Sequence, residues 1–201
     1  MSNQSGKVKH SWVTSQNPAK IANQQEELWQ KEPTFYYFAY GSCMCPVDLK
    51  RSLGENTHPY VIGPGILKEY QLRFYGYSPN RQCGVLDVVK DSTSLVTGVL
   101  YQLPLRLSDN LDKREGVSQG LYSQEIVDIH CRNQTYKNVR TYVVVNKLKE
   151  ELAPNDWYFN VVLRGAITCG LPEEYCWHLF NKMHKLQQFN QIPAQKYPLQ
   201  T

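Results

Sequence analysis

Residues 35–44 read FYYFAYGSCM. The unbroken aromatic run of this stretch is typical of a β-strand that is buried on both faces. Gly41 allows the chain to turn sharply where the strand ends. We therefore expect Ser42, Cys43 and Met44 to lie at the mouth of a buried strand. Free backbone N–H groups in such a turn attract an anion or a developing oxyanion, although most strand ends bind nothing.

Apolar runs after this stretch predict further strands, at residues 60–68, 71–77, 83–89, 94–103, 121–131 and 135–146. A polar turn at 132–134 predicts that the last two form a hairpin. Other turns are expected at 78–80, around Asp91 and at 154–158, and a short apolar segment follows at 161–163. Glycines inside successive strands are typical of a tightly curved sheet or a closed barrel.

Three segments predict helices. Residues 46–53 have a proline in the first turn and a glycine directly after the last residue. Residues 105–114 place two leucines on one face. Residues 172–187 have two glutamates in the first turn, which suits the helix dipole, and an apolar stripe that is expected to cover the sheet. We also expect Gly165 and Ala166 to form a site of close packing.

The chain divides by composition into three parts. Residues 1–33 are a polar extension that is either partly helical after Pro18 or mobile in solution. Residues 34–187 carry the apolar pattern of one domain with a sizeable core. Residues 188–201 form a polar tail that is expected to be disordered.

Composition and charge exclude several classes of protein. The net charge is +4, but basic residues are interspersed with acidic ones, so no nucleic-acid footprint is present. No apolar run approaches the ~20 residues that span a bilayer. No apolar secretory segment begins the chain, and we expect a cytoplasmic protein without a membrane partner. The spacings of the cysteines and histidines do not match a metal site, and the thiols are expected to be reduced.

Glu115 is the sharpest catalytic candidate. It lies between a basic helix end, Lys113-Arg114, and Gly116. The helix dipole disfavours a carboxylate at a C-terminus, and a residue placed against local preference is a reasonable functional suspect. The alternative is a solvated surface glutamate that pairs with Lys113 or Arg114.

Three ordered motifs carry a resemblance to a known family. They are YGS at 40–42, LDKREGV at 111–117 followed by GLY at 120–122, and GA at 165–166 followed by GLPEEY at 170–175. Together they resemble the signatures of the γ-glutamylcyclotransferase family, and the matches run in order from about residue 37 to residue 179. The resemblance implies an α+β domain in which a small mixed β-barrel-like sheet is surrounded by peripheral helices.

The resemblance also implies an activity. Members of that family cyclise a γ-glutamyl group to 5-oxoproline and release an amine or amino acid, with no metal or organic cofactor. The matching glutamate, Glu115, takes the role of general acid/base. The resemblance implies that substrate contacts come from the loop at Tyr40, Gly41, Ser42, Cys43 and Met44, and from Tyr122 and Tyr158. In a chain with 14 tyrosines, packing alone is the other reading of the last two.

Cys43 departs from the family, which usually has Asn at this position. A thiol is a weak donor, so it is tolerable if the loop works through its backbone. A different hypothesis makes Cys43 the nucleophile of an amidase or acyltransferase, which requires a histidine partner. Arg81, Arg140 and Arg164 could each pair with a substrate carboxylate, or could simply be exposed beside a strand.

Two further readings of the function stay open. The same fold could be a non-catalytic module that binds a small molecule or a protein. It could also be a cyclotransferase for a γ-glutamyl amine or a γ-glutamylated natural product. No motif specifies the leaving group, the oligomeric state or the role of residues 1–33.

Overall fold

A computed structural model describes residues 32–189, and the expectations for residues 1–31 and 190–201 lie outside this range. Five strands form a closed barrel in the order β1-β3-β2-β4-β5. They are β1 (Thr34–Ala39), β2 (Val61–Ser78), β3 (Cys83–Pro104), β4 (Tyr122–Cys131) and β5 (Gln134–Val144). Neighbours are antiparallel except β1 and β5, which run parallel at Tyr37 and Arg140. The mixed, barrel-like sheet is therefore confirmed.

Four α-helices surround the described part of the barrel. They are α1 (Pro46–Leu53), α2 (Ser108–Glu115), α3 (Asp156–Thr168) and α4 (Glu173–Phe189). Short 3₁₀ turns lie at Ser42–Met44, His58–Tyr60, Leu105–Leu107 and Val117–Gln119. The prediction of α1 is confirmed to the residue, and α2 and α4 lie where the sequence pattern predicts helices. None of the helices described is long and apolar enough to cross a membrane.

Four of the predicted strands are in fact two long strands. Residues 60–68 and 71–77 join into β2, and 83–89 and 94–103 join into β3. The break in the ladder between them is a bulge, because Lys68 is opposite Leu95 while Tyr70 is opposite Lys90. The expected turn at Asp91 is this bulge, in which the carboxylate accepts hydrogen bonds from Thr93 and Ser94. The residues that favour a turn at Asp91 therefore form a bulge within a continuous hairpin.

The expectation for residues 154–163 is wrong. A turn and a short apolar segment were expected there, but the chain forms α3, which begins after the N-cap residue Asn155. The Asn155 side chain accepts a hydrogen bond from the backbone N–H of Tyr158 at 2.9 Å. Aromatic and β-branched residues have low helix propensity, so the local pattern conceals this helix. Burial of Val161, Val162 and Ala166 supplies the stabilisation that propensity does not.

The core fills the barrel and the space beneath the helices. Phe38, Phe74, Leu100 and Tyr101 are fully buried in it. The expected role of the strand glycines is clear at Gly98, where an added Cβ would lie 2.3 Å from the carbonyl oxygen of Ala39. Only a glycine lets β3 approach β1 so closely. The six cysteines are free thiols.

Candidate active site

The loop after β1 forms the floor of a cavity. The chain turns at Gly41 into the 3₁₀ turn Ser42–Met44, where the N–H of Met44 donates to the carbonyl of Gly41 at 3.0 Å. The N–H groups of Ser42 and Cys43 begin this turn, so they have no partner within it. All three residues of the turn are buried. The loop therefore lies at the mouth of a buried strand, as the sequence predicts.

Helix α3 holds the loop in place through Gly165. A Cβ at this position would lie 2.5 Å from the backbone nitrogen of Cys45 and 2.7 Å from the carbonyl carbon of Met44. From the other side, the Tyr101 hydroxyl donates to the carbonyl of Met44 at 3.0 Å. The predicted close packing at Gly165 is therefore confirmed, and it fixes the backbone of the loop.

Glu115 is the last residue of α2 and faces the loop. Gly116 follows in the left-handed conformation, with φ of 67°, and ends the helix. The Glu115 Oε1 atom accepts hydrogen bonds from the Cys43 thiol at 3.0 Å and from the Tyr37 hydroxyl at 3.4 Å. Burial raises the pKa of Glu115, although the nearby charge of Arg114 and the two donors oppose this shift. The reading of Glu115 as a solvated surface residue is wrong.

Arg114 connects α2 to α1 and to the loop. Its guanidinium pairs with Asp48 at 2.5 Å, and both side chains are almost completely buried. It also donates to the Ser52 hydroxyl at 2.6 Å and to the Ser42 hydroxyl at 3.2 Å. With these partners, Arg114 is a structural clamp, and the carboxylate of Glu115 is not its ion-pair partner.

Cys43 lies between Arg114 and Glu115. The Nε atom of Arg114 donates to the Cys43 sulfur at 3.2 Å, and the thiol donates to Glu115. Burial raises the pKa of Cys43 to about 12, so the group is a thiol at neutral pH. No histidine lines the cavity within the described range. The thiol therefore lacks both the low pKa and the base that a cysteine nucleophile needs.

Three tyrosines build the walls of the cavity. Tyr158 and Tyr122 both bond to the backbone of Leu86. The Tyr158 hydroxyl accepts from the Leu86 N–H at 3.0 Å, and the Tyr122 hydroxyl donates to the Leu86 carbonyl at 2.9 Å. The Tyr40 hydroxyl donates to the carbonyl of Tyr142 at 2.5 Å. Burial raises the pKa of Tyr40, Tyr122 and Tyr158, so all three stay neutral phenols.

The cavity encloses about 120 Å³. Its lining residues are Tyr37, Tyr40, Gly41, Ser42, Cys43, Tyr77, Ser78, Pro79, Asn80, Arg81, Val85, Leu86, Arg114, Glu115, Leu121, Tyr122, Tyr142 and Tyr158. The structure thus brings together every predicted site residue except one. Met44 is fully buried in the core and does not line the cavity, because the 3₁₀ turn directs its side chain away from it.

Sequence reasoning missed several contributors to this site. Tyr37 and Tyr142 were assigned only to strands, and Arg114 only to a helix end. Of the three candidate arginines, only Arg81 lines the cavity, whereas Arg140 stacks on Phe35 and Arg164 is exposed. Because residues 37–39 of β1 are all buried, the strand has no alternation in its sequence that would mark Tyr37 as facing the cavity. Within residues 32–189, no cluster of His, Cys, Asp and Glu side chains is arranged to hold a metal ion.

Comparison with known proteins identifies relatives. Residues 95–179 match the model of the AIG2-like family. The chain is 33% identical over 131 residues to the putative γ-glutamylcyclotransferase YkqA of Bacillus subtilis, covering 65% of this chain and 46% of that protein. It is 27% identical over 150 residues to the γ-glutamylcyclotransferase of Mus musculus, covering 73% and 77% of the two chains.

The chain is similar in sequence to γ-glutamylcyclotransferases. The crystal structure of YkqA from Bacillus subtilis has the same fold, with a TM-score of 0.71 and 29% identity over 81% of this chain and 59% of that one. The γ-glutamylcyclotransferase-type barrel is therefore the architecture of this protein. The chain spans only about half the length of YkqA, 46% by sequence.

Proposed function

We propose that this protein is a γ-glutamylcyclotransferase with Glu115 as its general acid/base. The observation that carries the proposal is the half-buried carboxyl of Glu115, which faces the cavity beside a loop with free backbone N–H groups. A carboxyl whose pKa is raised by burial is suited to exchange protons near neutral pH.

The reaction needs only the substrate and one proton carrier. The α-ammonium group gives a proton to Glu115, and the free nitrogen attacks the γ-carbonyl carbon. The new C–N bond closes a five-membered ring, and the bond from that carbon to the leaving nitrogen breaks. Glu115 returns the proton to the leaving nitrogen, then takes the second proton from the ring nitrogen and passes it to the departing amine, which leaves as an ammonium ion beside the neutral lactam. The products are 5-oxoproline and an amine or amino acid, and a carboxyl in this role contributes typically ~10²–10⁴-fold to the rate.

The loop supports this chemistry through its backbone. The N–H groups of Ser42 and Cys43 are the natural donors for negative charge on the substrate, either the α-carboxylate or the oxyanion of the tetrahedral intermediate. This use of the backbone explains how Cys43 replaces the usual Asn, since a backbone donor does not depend on the side chain. The thiol instead donates to Glu115.

The size of the cavity supports a small cyclic product. An engineered cavity of about 150 Å³ holds one benzene molecule, and this one encloses about 120 Å³. A cavity of this size suits a compact γ-glutamyl group that folds back on itself, which brings its α-amine towards the γ-carbonyl. Holding the reacting atoms in that conformer removes much of the entropic barrier to an intramolecular attack.

The decisive test is release of 5-oxoproline from a panel of γ-glutamyl amino acids, dipeptides and amines. Glu115→Gln preserves the shape of the side chain but removes the proton acceptor, so we expect its rate to fall ~10²-fold or more. Glu174→Gln, an exposed position on α4, is the matched control and should retain the wild-type rate.

Two outcomes would contradict the proposal. Equal rates for wild type and Glu115→Gln would remove this carboxyl from the mechanism. Binding of acidic ligands without any 5-oxoproline release would favour the non-catalytic binding module.

A further inference from the structure

Arg81 is a cation on the wall of the cavity that the proposed chemistry does not use. It lies in the turn between β2 and β3, where its backbone N–H donates to the carbonyl of Ser78 at 3.2 Å. Its own carbonyl accepts from the side chain of Asn155, the N-cap of α3, at 2.9 Å. The first bond closes the β2–β3 turn and the second attaches it to the start of α3, so together they fix the backbone of Arg81.

The Arg81 guanidinium is held in place but keeps its donors available. It lies over the ring of Trp157 at 4.8 Å from the centroid, which restricts its rotamers. Within residues 32–189 it forms no ion pair and no side-chain hydrogen bond. Arg114, the other arginine of the cavity, is by contrast occupied by Asp48, Ser42, Ser52 and Cys43. Arg81 is thus a preorganised fork of donors, the geometry that matches a carboxylate.

Burial around the cavity distinguishes its floor from its rim. The floor consists of buried residues, which include Ser42, Cys43 and Tyr158. The rim is the turn at residues 77–81, in which Tyr77 is 47% exposed and Pro79 and Asn80 are exposed. Glu115 contacts the floor, so a γ-glutamyl group that reacts with it occupies the enclosed volume. The leaving group must then pass the rim beside Arg81.

We propose that Arg81 is a specificity-determining residue that binds a carboxylate on the leaving group. The inference rests on the proposed cyclotransferase function. It predicts a preference for γ-glutamyl amino acids over γ-glutamyl amines of the same shape, because only the former present an anion at the rim. The charge of Arg81 also acts on Glu115, where it opposes the rise in pKa that burial causes.

A matched pair of substrates tests this role. γ-Glutamyl-alanine and γ-glutamyl-ethylamide differ only by the carboxylate on the leaving group. In the wild type we expect kcat/KM for γ-glutamyl-alanine to be about tenfold higher, as one charge-assisted pair at a half-exposed site provides. Arg81→Gln should reduce the ratio to near one by lowering kcat/KM for γ-glutamyl-alanine alone. Arg81→Lys, which keeps the charge without the fork, should retain part of the preference. Arg164→Gln, at an exposed position outside the cavity, should leave the ratio unchanged.

Two kinetic results would overturn the inference. An unchanged ratio in Arg81→Gln would mean that the guanidinium does not contact the leaving group. An equal loss for both substrates would assign Arg81 to the α-carboxylate that they share.

A binding measurement distinguishes a failure of this inference from a failure of the proposed function. Calorimetric titration of both compounds in a Glu115→Gln background needs no turnover, and adding Arg81→Gln should weaken only γ-glutamyl-alanine. If wild type releases no 5-oxoproline but this binding difference is present, the cyclotransferase proposal fails and the role of Arg81 stands. If neither compound binds nor reacts, both proposals are overturned.

Discussion

The side chain of Glu115 combines two requirements that usually conflict. A carboxyl must be shielded from water for its pKa to rise, yet it must reach the substrate. Its position at the end of α2 satisfies both, because the barrel and the loop bury it on one side and the cavity opens on the other. The following glycine makes this possible, since φ of 67° at Gly116 turns the chain away directly after the carboxyl.

The thiol of Cys43 should tune the pKa of Glu115. A donor to the ionised carboxylate stabilises that form and lowers the pKa. In Cys43→Ala this donor is lost, so the pKa of Glu115 should rise further. The basic form then appears only at higher pH, and the ascending limb of the profile of kcat/KM against pH should move to higher pH. The measurement is that profile for 5-oxoproline release.

Two variants control this experiment. Cys43→Asn restores a hydrogen-bond donor and should return the limb towards its wild-type position, whereas Cys176→Ala on α4 should not move it. If Cys43→Ala changes only the height of the profile, the thiol supports the loop but does not act on Glu115.

At the residue level, the sequence located most of this site. Glu115 could be found from its conflict with the helix dipole, and the loop from the glycine that ends an aromatic strand. Arg114 could not be recognised as a clamp, because its partners Asp48 and Ser52 lie more than 60 positions away in the chain. The direction of the Met44 side chain depends on a 3₁₀ turn that the local pattern does not encode.

Helix α3 packs directly against the Ser42–Met44 turn. Its close approach depends on Gly165, where an added methyl group would meet the backbone of Cys45 and Met44 at less than 3 Å. Gly165→Ala should therefore destabilise the protein by about 1–3 kcal/mol through overpacking. It should also lower kcat/KM, because the Ser42–Met44 turn must shift to relieve the clash.

Thermal unfolding and 5-oxoproline release measure the two effects of Gly165→Ala. Thr168→Ala, at an exposed position in the same helix, is the control and should change neither. A stable variant with wild-type activity would show that the loop can move without loss of function.

The elements differ in how far local sequence predicts them. Helix α1 has a proline at its start and a glycine at its end, so both boundaries are local signals. Helix α3 also has boundary signals, the N-cap Asn155 and the left-handed Gly170 (φ of 74°) just past its end, but its aromatic and β-branched residues have low helix propensity. It forms because its buried face packs on the loop. The sequence pattern divides the two long strands between residues 68 and 71 and around Asp91, and at Asp91 this is because turn residues inside a bulge resemble those of a true turn.

The barrel as a whole is cross-linked through its interior by Asp87. This fully buried carboxylate on β3 accepts from the backbone N–H of Val144 on β5 at 2.9 Å and from Lys147 at 2.5 Å. Asp87→Ala should leave the Val144 N–H without an acceptor and cost about 1–3 kcal/mol. Asp87→Asn keeps an acceptor oxygen and should cost less. The free energy of unfolding in urea measures both.

A second aspartate–lysine pair is the control for this prediction. Asp128 and Lys137 are 2.5 Å apart but largely exposed, and such surface pairs contribute about 0–1 kcal/mol. Asp128→Ala should therefore have little effect. An equal loss in the two alanine variants would mean that burial does not distinguish the pairs.

Strand β1 lies between β3 and β5, so during synthesis on the ribosome it is made long before both of its neighbours are present. The bond between Thr141 and the carbonyl of Phe38 joins residues 103 positions apart. At a synthesis rate of ~5–20 residues per second, the partner strand appears roughly 5–20 s after β1. Until β5 is made, the edge of β1 that will pair with it has no partner strand, and unpaired edges of this kind can pair with other chains. The nascent chain should therefore depend on chaperones most strongly in that interval, before the barrel closes.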